Sequence, residues 1–394
     1  MATTLFSTLS RISPAHISNQ YLTAAKTVFA GGLVKGDKQG IKVYDDLDAV
    51  AEDYDMYSPF WKKARAYFAG NKEGASLLAL TYAPGDVAAG DPTGVQSTPT
   101  DDGAKVTANT SSDTGNLSAD AVGAVTALKK YYYAGPQFWF LTEFDEDVAQ
   151  AISNFVELQN TGIFLLYATD ATKLQGYTDN KKTMKFTLPE VDDSTAEVQD
   201  TYNNVLDAAF AGVEYGRNPH SAVKYALGDL PYTKPQDRYD FTPDDLAELD
   251  KYNIVTYAYV LPDPQITSSR MSADGVHIDT ILGWDWIQNQ ISSRIANLFV
   301  QNAKQGIPYN EIGFDSIATV IRGAFIDAGD MDIIAPEIDA TGSETGKPDY
   351  SVEYVKPGEL PKSYETKREM RGIKTKYHPM GMVEDVYIEN TIVM

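Results

Sequence analysis

From residue 25 onward, short apolar runs alternate with amphipathic stretches of helical period, a pattern that predicts an α/β fold. The segment "KTVFAGGLVKGDKQGIKVYDDLDAVAEDY" predicts a strand, a glycine-rich loop, a short strand from Ile41 to Tyr44 and a helix starting near Asp46. "YSPFWKKARAYFAG" predicts a helix with Ser58 as N-cap, Pro59 at its first position and Gly70 past its end. "SLLALTYA" suits a buried strand. Residues 84–124 are dominated by Gly, Asp, Thr, Ser and Pro and predict a loop-like insertion. The aromatic run "YYYAGPQFWFLT" then predicts a strand, followed by the helical pattern "DEDVAQAISNFVELQNTG" and the buried strand "IFLLYAT", a βαβ unit. "TAEVQDTYNNVLDAAFAG" predicts one helix capped by Thr195, and "FTPDDLAELDKYNIVTYAYVL" a cap, Pro243 at the first helical position, a helix and a strand.

Downstream the pattern lengthens. Val276, Ile278 and Thr280 alternate with His277, Asp279 and Ile281, which predicts a strand ending near Gly283. A long helix follows, with Trp284, Trp286, Ile287, Ile291, Ile295, Leu298 and Phe299 as its packing residues. A second helix, from about Asn310 to Ala328, turns Ile317, Val320, Ile321 and Ala324 inward. "DYSVEYVKP" and "GMVEDVYIENTIVM" read as strands, and in the latter Val386, Ile388 and Ile392 alternate with Tyr387, Glu389 and Thr391. Residues 1–24 hold neither period for long and read as an arm.

Charge changes the picture in two ways. The chain carries 33 basic and 55 acidic residues, a net charge of −22, so a polyanion would be repelled over most of the surface and nucleic acid is not expected as a partner. Within it, "KSYETKREMRGIKTK" holds six basic and two acidic residues: Lys362, Lys367, Arg368, Arg371, Lys374 and Lys376 form a net +4 island. Such an island is either a solvated face or a patch that complements an acidic surface on another copy. There is no cysteine, which removes disulfides and thiolate metal sites. The start of the chain lacks the charged head and apolar run of a secretory signal, and no stretch approaches the ~20 apolar residues of a membrane span, so a soluble protein without membrane insertion is expected.

The search for chemistry finds no dinucleotide, phosphate-loop, nucleophile-elbow, zinc-protease or calcium-loop signature. Gly31, Gly32, Lys35 and Gly36 lack the Lys-Ser/Thr pair of a phosphate cradle and read as a turn between strands. The four histidines, His16, His220, His277 and His378, have no local ligand spacing, and His277 reads as a hydrogen-bonding strand residue. Acidic groups at Asp145 to Asp147, Asp192 and Asp193, and Asp244 and Asp245 sit at predicted helix starts, where carboxylates meet the positive end of the dipole; a facing pair for a glycosidase is the alternative. Trp284 and Trp286 can stack a sugar, but the isoleucine stripe behind them favours packing. No catalytic, cofactor or metal residue is assigned.

The run "HIDTILGWDWIQNQISSRIANLFVQNAKQGIPYNEIGFDSIATVIRGAFIDAGDMDIIAP" resembles the C-terminal region of contractile phage tail sheath proteins, in which a strand leads through a Gly-x-Asp-Trp turn to a long helix, an Ile-Pro-Tyr segment and another helix. "YSVEYVKPGELPKSYETKREMRGIKTKYHPMGMVEDVYIENTIVM" resembles that family's ending, and "IKVYDDLDAVAEDYDMYSPFWKKARAYFAG" its early part. The likeness covers 41–82 and 250–394, more loosely 131–215; it departs from the family in 84–130 and in "HPMGMVEDV". It implies a mixed-sheet α/β inner, tube-proximal domain built from 271–385, an outer α/β domain at 25–270, an N-terminal linking arm at 1–24 and a C-terminal linking strand at 386–394. It also implies a structural subunit rather than an enzyme, assembled in the host bacterial cytoplasm into a phage tail. The expected partners are further copies in hexameric rings stacked helically, a tail tube protein, a baseplate and a tail terminator, with no cofactor. Another tail or baseplate protein, or a hydrolase using an acidic pair, is the alternative.

Overall fold

The computed structural model describes residues 28–382 apart from 72–73, 86–116, 133–134, 160–161, 192–194, 216, 218–228, 238, 260–262 and 274–275. Seven strands build one mixed sheet: β1 (Val28–Lys35), β2 (Gly40–Tyr44), β3 (Ser76–Tyr82), β4 (Phe138–Leu141), β5 (Ile163–Ala168), β6 (Thr183–Thr187) and β7 (Ile254–Val255), in the order β2-β3-β1-β4-β5-β6-β7. Only the edge strand β2 runs antiparallel to its neighbour. Parallel strands buried on both faces read as continuous apolar runs, which is why "SLLALTY" and "IFLLYA" show no polar alternation.

The two faces feed two separate cores. Leu77, Ala79, Phe138, Phe140, Ile163 and Leu165 point into one, and their odd-stepped neighbours Leu78, Leu80, Trp139, Leu141, Phe164 and Leu166 into the other. Helices α1 (Leu47–Ala51), α2 (Pro59–Gly70), α5 (Ala196–Thr201) and α6 (Leu206–Glu214) follow β2 and β6 in the chain, and α2 and α6 close the first core. Helices α3 (Ala119–Tyr131) and α4 (Glu146–Glu157) close the second. Ser58, Ser118 and Asp145 accept from the backbone amides of Trp61, Ala121 and Val148, so each start is fixed by a side-chain cap. The predicted βαβ unit is β4-α4-β5.

Five expectations are corrected, four of them before β7. Gly31 and Gly32 lie inside β1, beside Trp139 and Phe140 of β4, rather than in a loop. A Cβ on Gly31 would stand 2.7 Å from the Trp139 ring, and one on Gly32 2.8 Å from the rings of Phe60 and Phe140, so the glycines are spaces filled by aromatic rings. The predicted insertion ends earlier than 124, because α3 begins at Ala119; its first buried residues are Ala121, Gly123, Ala124 and Ala127, too small to register as an apolar stripe before Leu128. The strand predicted from Tyr131 is only Phe138–Leu141. The single helix predicted over 195–212 is two, broken at 202–205, where the Asn203 backbone N donates to Tyr232 O, its side-chain Nδ2 to Gln199 O, and Asn204 Oδ1 accepts from Val191 N.

Beyond β6 the chain forms α7 (Pro243–Lys251) and a short antiparallel pair of β8 (Tyr257–Ala258) with β9 (Gln265–Ile266). A long helix α8 (Ile278–Gln301) is followed by α9 (Glu311–Asp330), the pair β10 (Pro336–Ile338) and β11 (Glu344–Pro348), and β12 (Tyr350–Tyr354). The last described elements are α10 (Lys362–Lys367) and β13 (Ile373–Tyr377). The strand predicted over 276–282 is the first turn of α8: Ile278, Ile281 and Leu282 are buried at helical spacing in the first core. From Ile287 onward the same helix contributes instead to a third core.

Candidate functional site

The third core is a helical hairpin carrying a small sheet. Ile287, Ile291 and Ile295 of α8, spaced by four, pack on Ile317, Ile321, Ala324, Phe325 and Ala328 of α9. Arg294 and Asp327 tie the antiparallel helices across their exposed flank. The residues expected to form this core divide: the three isoleucines are buried, whereas Trp284, Trp286 and Leu298 are half-buried at its margin and Phe299 is exposed. The Trp284 ring stacks on Tyr377 of β13, 6.3 Å between centroids at 19°.

What fixes this unit to the seven-stranded sheet is Asp285, between the two tryptophans, which the sequence reading gave no role. Its carboxylate is 1 % exposed and accepts from Lys182 Nζ at 2.6 Å, Gln137 Nε2 at 2.9 Å and Gly162 N at 3.1 Å. Those donors stand immediately before β6, β4 and β5, so one side chain of α8 engages the amino-terminal edge of three adjacent strands. Burial pushes the Asp285 carboxyl upward from the ordinary aspartate range, and the Lys182 ammonium and the other donors oppose that shift. The signal in sequence was an acidic residue inside an apolar helical stripe, a position that demands a partner.

β12 and β13 lie over the hairpin as an antiparallel pair, Tyr350 opposite Tyr377, Val352 opposite Thr375 and Tyr354 opposite Ile373. Tyr350, Val352, Ile373 and Tyr377 pack onto the helices, with the Tyr350 ring stacked on Phe325 at 5.2 Å and Tyr354 edge-on to Phe314. Val355 N donates to Gly372 O and His378 N to Asp349 O, which makes 351/376 and 353/374 the hydrogen-bonded pairs. The amides and carbonyls of Tyr350, Val352 and Tyr354 on one strand, and of Ile373, Thr375 and Tyr377 on the other, therefore face outward in the plane of the sheet. Among the described residues no third strand meets either edge.

The basic residues Lys362, Lys367, Arg368, Arg371, Lys374 and Lys376 are all exposed, on α10, the following turn and β13. Arg371 pairs with Glu369 at 3.0 Å and lies over the Tyr364 ring. The expected inter-subunit strand, Val386, Tyr387, Ile388 and Ile392, and the arm at 1–24 lie outside the described residues.

The other candidates resolve into local structure. Lys35 pairs with Asp120. His277 Nδ1 is 2.9 Å from Ser269 Oγ, and His378 pairs with Asp349. Asp145 caps α4, and Asp245 closes a capping box with Thr242 on α7. Among the described residues no group of three acidic or histidine side chains is placed to hold a metal ion, and no helix is long and apolar enough to cross a membrane.

No family model and no curated protein matches the sequence. Solved structures match over the full length of the chain. A chain in the cryo-EM structure of the anti-feeding prophage baseplate aligns with a TM-score of 0.61 at 12 % identity, covering 100 % of both chains. One in the helical sheath of the same prophage in its contracted state aligns with a TM-score of 0.60 at 12 % identity, covering 99 % of both. The sheath tail protein of Listeria innocua aligns with a TM-score of 0.52 at 10 % identity, covering 93 % of this chain and 97 % of that one. The mixed α/β fold described above is thus shared with contractile sheath proteins.

Proposed function

We propose that the chain is a structural subunit of a contractile tail sheath, which polymerises around a tail tube and shortens to drive the tube through a host envelope. The carrying observation is the β12–β13 sheet, two strands held rigidly over a helical hairpin with both edges open among the described residues. An isolated pair of strands is marginal and its bare edges invite pairing. Terminal segments of neighbouring copies, 1–24 and 386–394, would add strands to these edges, so that backbone hydrogen bonds join the subunits. Likeness in fold to sheath proteins along the whole chain supports this reading.

On this reading the partners are further copies in stacked hexameric rings, the tail tube, the baseplate and a terminator, and the location is the virion tail. The chain works by changing contacts between copies rather than by making bonds, and a gap on the order of a few kcal/mol per subunit between two lattices becomes large when many copies move together. The test is electron microscopy of the purified full chain and of a chain ending at Met382. The full chain should form hollow cylinders and the truncated chain should stay folded, by circular dichroism, without forming them. Normal cylinders from the truncated chain would refute the linking role of the terminal strand. A second reading, a baseplate component, is favoured by the likeness to a chain of the baseplate structure; it predicts discrete small rings in place of long cylinders.

A further inference from the structure

Helix α7 is poorly covered by the rest of the large sheet unit. None of its residues is buried, and every residue from Thr242 to Glu248 is exposed, Leu246 to 39 %. Only Leu249 and the flanking Tyr252 reach the second core. Between α7 and the carboxyl ends of β5 and β6 runs a groove of about 400 Å³, lined by the apolar Phe241, Leu249 and Tyr252 and the acidic Asp240, Asp245 and Glu248 among others. Among the described residues none of these three carboxylates has a lysine or arginine within ion-pair distance.

The complementary surface is on the same chain. Lys362, Lys367, Arg368, Lys374 and Lys376 are exposed and, among the described residues, unpaired. Arg368 also holds a left-handed backbone, φ 55°, at the C-terminal end of α10, where glycine or asparagine would be less strained.

The two surfaces belong to different parts of the fold. The groove is at the carboxyl edge of the sheet, and α8 engages the amino edge through Asp285. The basic segment runs from the α8–α9 turn, where Tyr309 Oη donates to Glu369 O and Lys356 pairs with Glu311, back along β13 to Tyr377 beside Trp284. The seventeen residues from Asp285 to Gln301 alone span about 24 Å of helix.

We infer that the basic segment 362–376 of one copy docks in the acidic groove beneath α7 of the next. This rests on the self-assembling reading above and names a contact distinct from the linking strands. Two different patches meeting head to tail make a heterologous interface, which generates rings or open helices rather than closed pairs. Charge complementarity selects a second copy as the occupant because a protein of net −22 has few cationic surfaces to offer itself.

The test uses the full-length chain, whose lack of cysteine gives a clean background. Glu248→Lys or Arg368→Glu should each raise the concentration needed for assembly about tenfold and flatten its loss with salt, and the two together in one chain should restore both. Mixing Glu248→Cys chains with Arg368→Cys chains and adding a short thiol cross-linker should give a dimer that neither chain gives alone. Cylinders that form normally from Glu248→Lys, with no cross-link in the mixture, would overturn the docking while leaving the sheath reading intact. Failure of the unsubstituted chain to form any ordered assembly would remove both.

Discussion

Replacing Asp285 by alanine isolates the attachment of the helical hairpin to the sheet. The substitution leaves the Lys182 ammonium, 4 % exposed, without a counter-ion, and orphans Gln137 Nε2 and Gly162 N. Removing one member of a buried ion pair costs about 3–5 kcal/mol, and the orphaned donors are part of that sum rather than additions to it. Replacing both charged residues by apolar ones of similar size, Lys182→Met with Asp285→Leu, should cost much less, because no charge is then stranded. Trp284 and Trp286 flank the site, whereas Trp61 and Trp139 lie in the sheet cores, so tryptophan fluorescence in a urea titration can separate release of the hairpin from unfolding of the sheet. With Trp61 and Trp139 replaced by phenylalanine, the Asp285→Ala transition should shift to lower urea by the stated amount and the double variant should recover most of it. A loss under about 0.5 kcal/mol for Asp285→Ala, with no coupling in the double-mutant cycle, would show that the carboxylate anchors nothing.

Three further outcomes follow from the packing. Trp284→Ala should cost about 2 kcal/mol in urea unfolding, roughly half the loss of a fully buried tryptophan, because its ring is half-buried against Tyr377; a loss of 4 or 5 kcal/mol would contradict the marginal placement. Gly32→Ala should destabilise by about 1–3 kcal/mol by driving a methyl into the Phe60 and Phe140 rings, where an unstrained strand alanine would be neutral or better, as thermal unfolding can measure. Glu214 is buried, and burial pushes its carboxyl up to about 7 against the pull of Arg217. The folded state therefore holds this proton more tightly than the unfolded chain does. Glu214 thus makes stability fall as pH rises from about 4.5 to about 7, by up to roughly 3 kcal/mol. Glu214→Gln should flatten that segment of the stability profile and raise the melting temperature at pH 8; an unchanged profile would place the ionisation elsewhere.

Elements whose signal is local were legible in the sequence. The starts of α2, α4 and α7 were written in Ser58-Pro59, Asp145 and Thr242-Pro243, since a cap acts within three residues of itself. The apolar runs of β3 and β5 were equally plain. Signals that depend on a distant partner were not. Gly31 and Gly32 looked like a turn because nothing adjacent announces the aromatic rings that fill their place, Phe60 in α2 and Trp139 and Phe140 more than a hundred residues downstream. β6, "TMKFT", went unread because Lys185 interrupts it; that lysine is buried and donates to Tyr177 O, and burial lowers its ammonium to about 8. The alternation of Val276 to Thr280 fitted a strand, and only the burial of Ile278, Ile281 and Leu282 together shows the helical period that wins. The same difficulty hid Asp285. Beside two tryptophans and a row of isoleucines it looked incidental, and its function is visible only when the ends of three strands are brought to it.

That anchor also constrains how such a subunit can move. α8 runs unbroken from the first core, through Asp285, into the third, so the sheet and the hairpin share a continuous helix and a buried ion pair at their junction. A hinge there would have to strand two charges in the opening step, a cost of several kcal/mol in every copy. On the sheath reading, the lattice gap per subunit is of that same order, so bending at α8 would consume the difference that drives contraction. On the same reading, motion would be cheaper where no buried group is uncovered: at linking segments that would join β12 and β13 by backbone hydrogen bonds, and at exposed ionic contacts that would re-form in a new register. A subunit that travels as a rigid body between two sets of neighbours is what this arrangement permits. Hydrogen exchange measured before and after contraction can decide it. Protection of the α8 amides around Asp285 should be the same in both states, with changes confined to β12, β13 and the segments that reach them; exposure of the 282–287 amides on contraction would place the hinge inside the subunit instead.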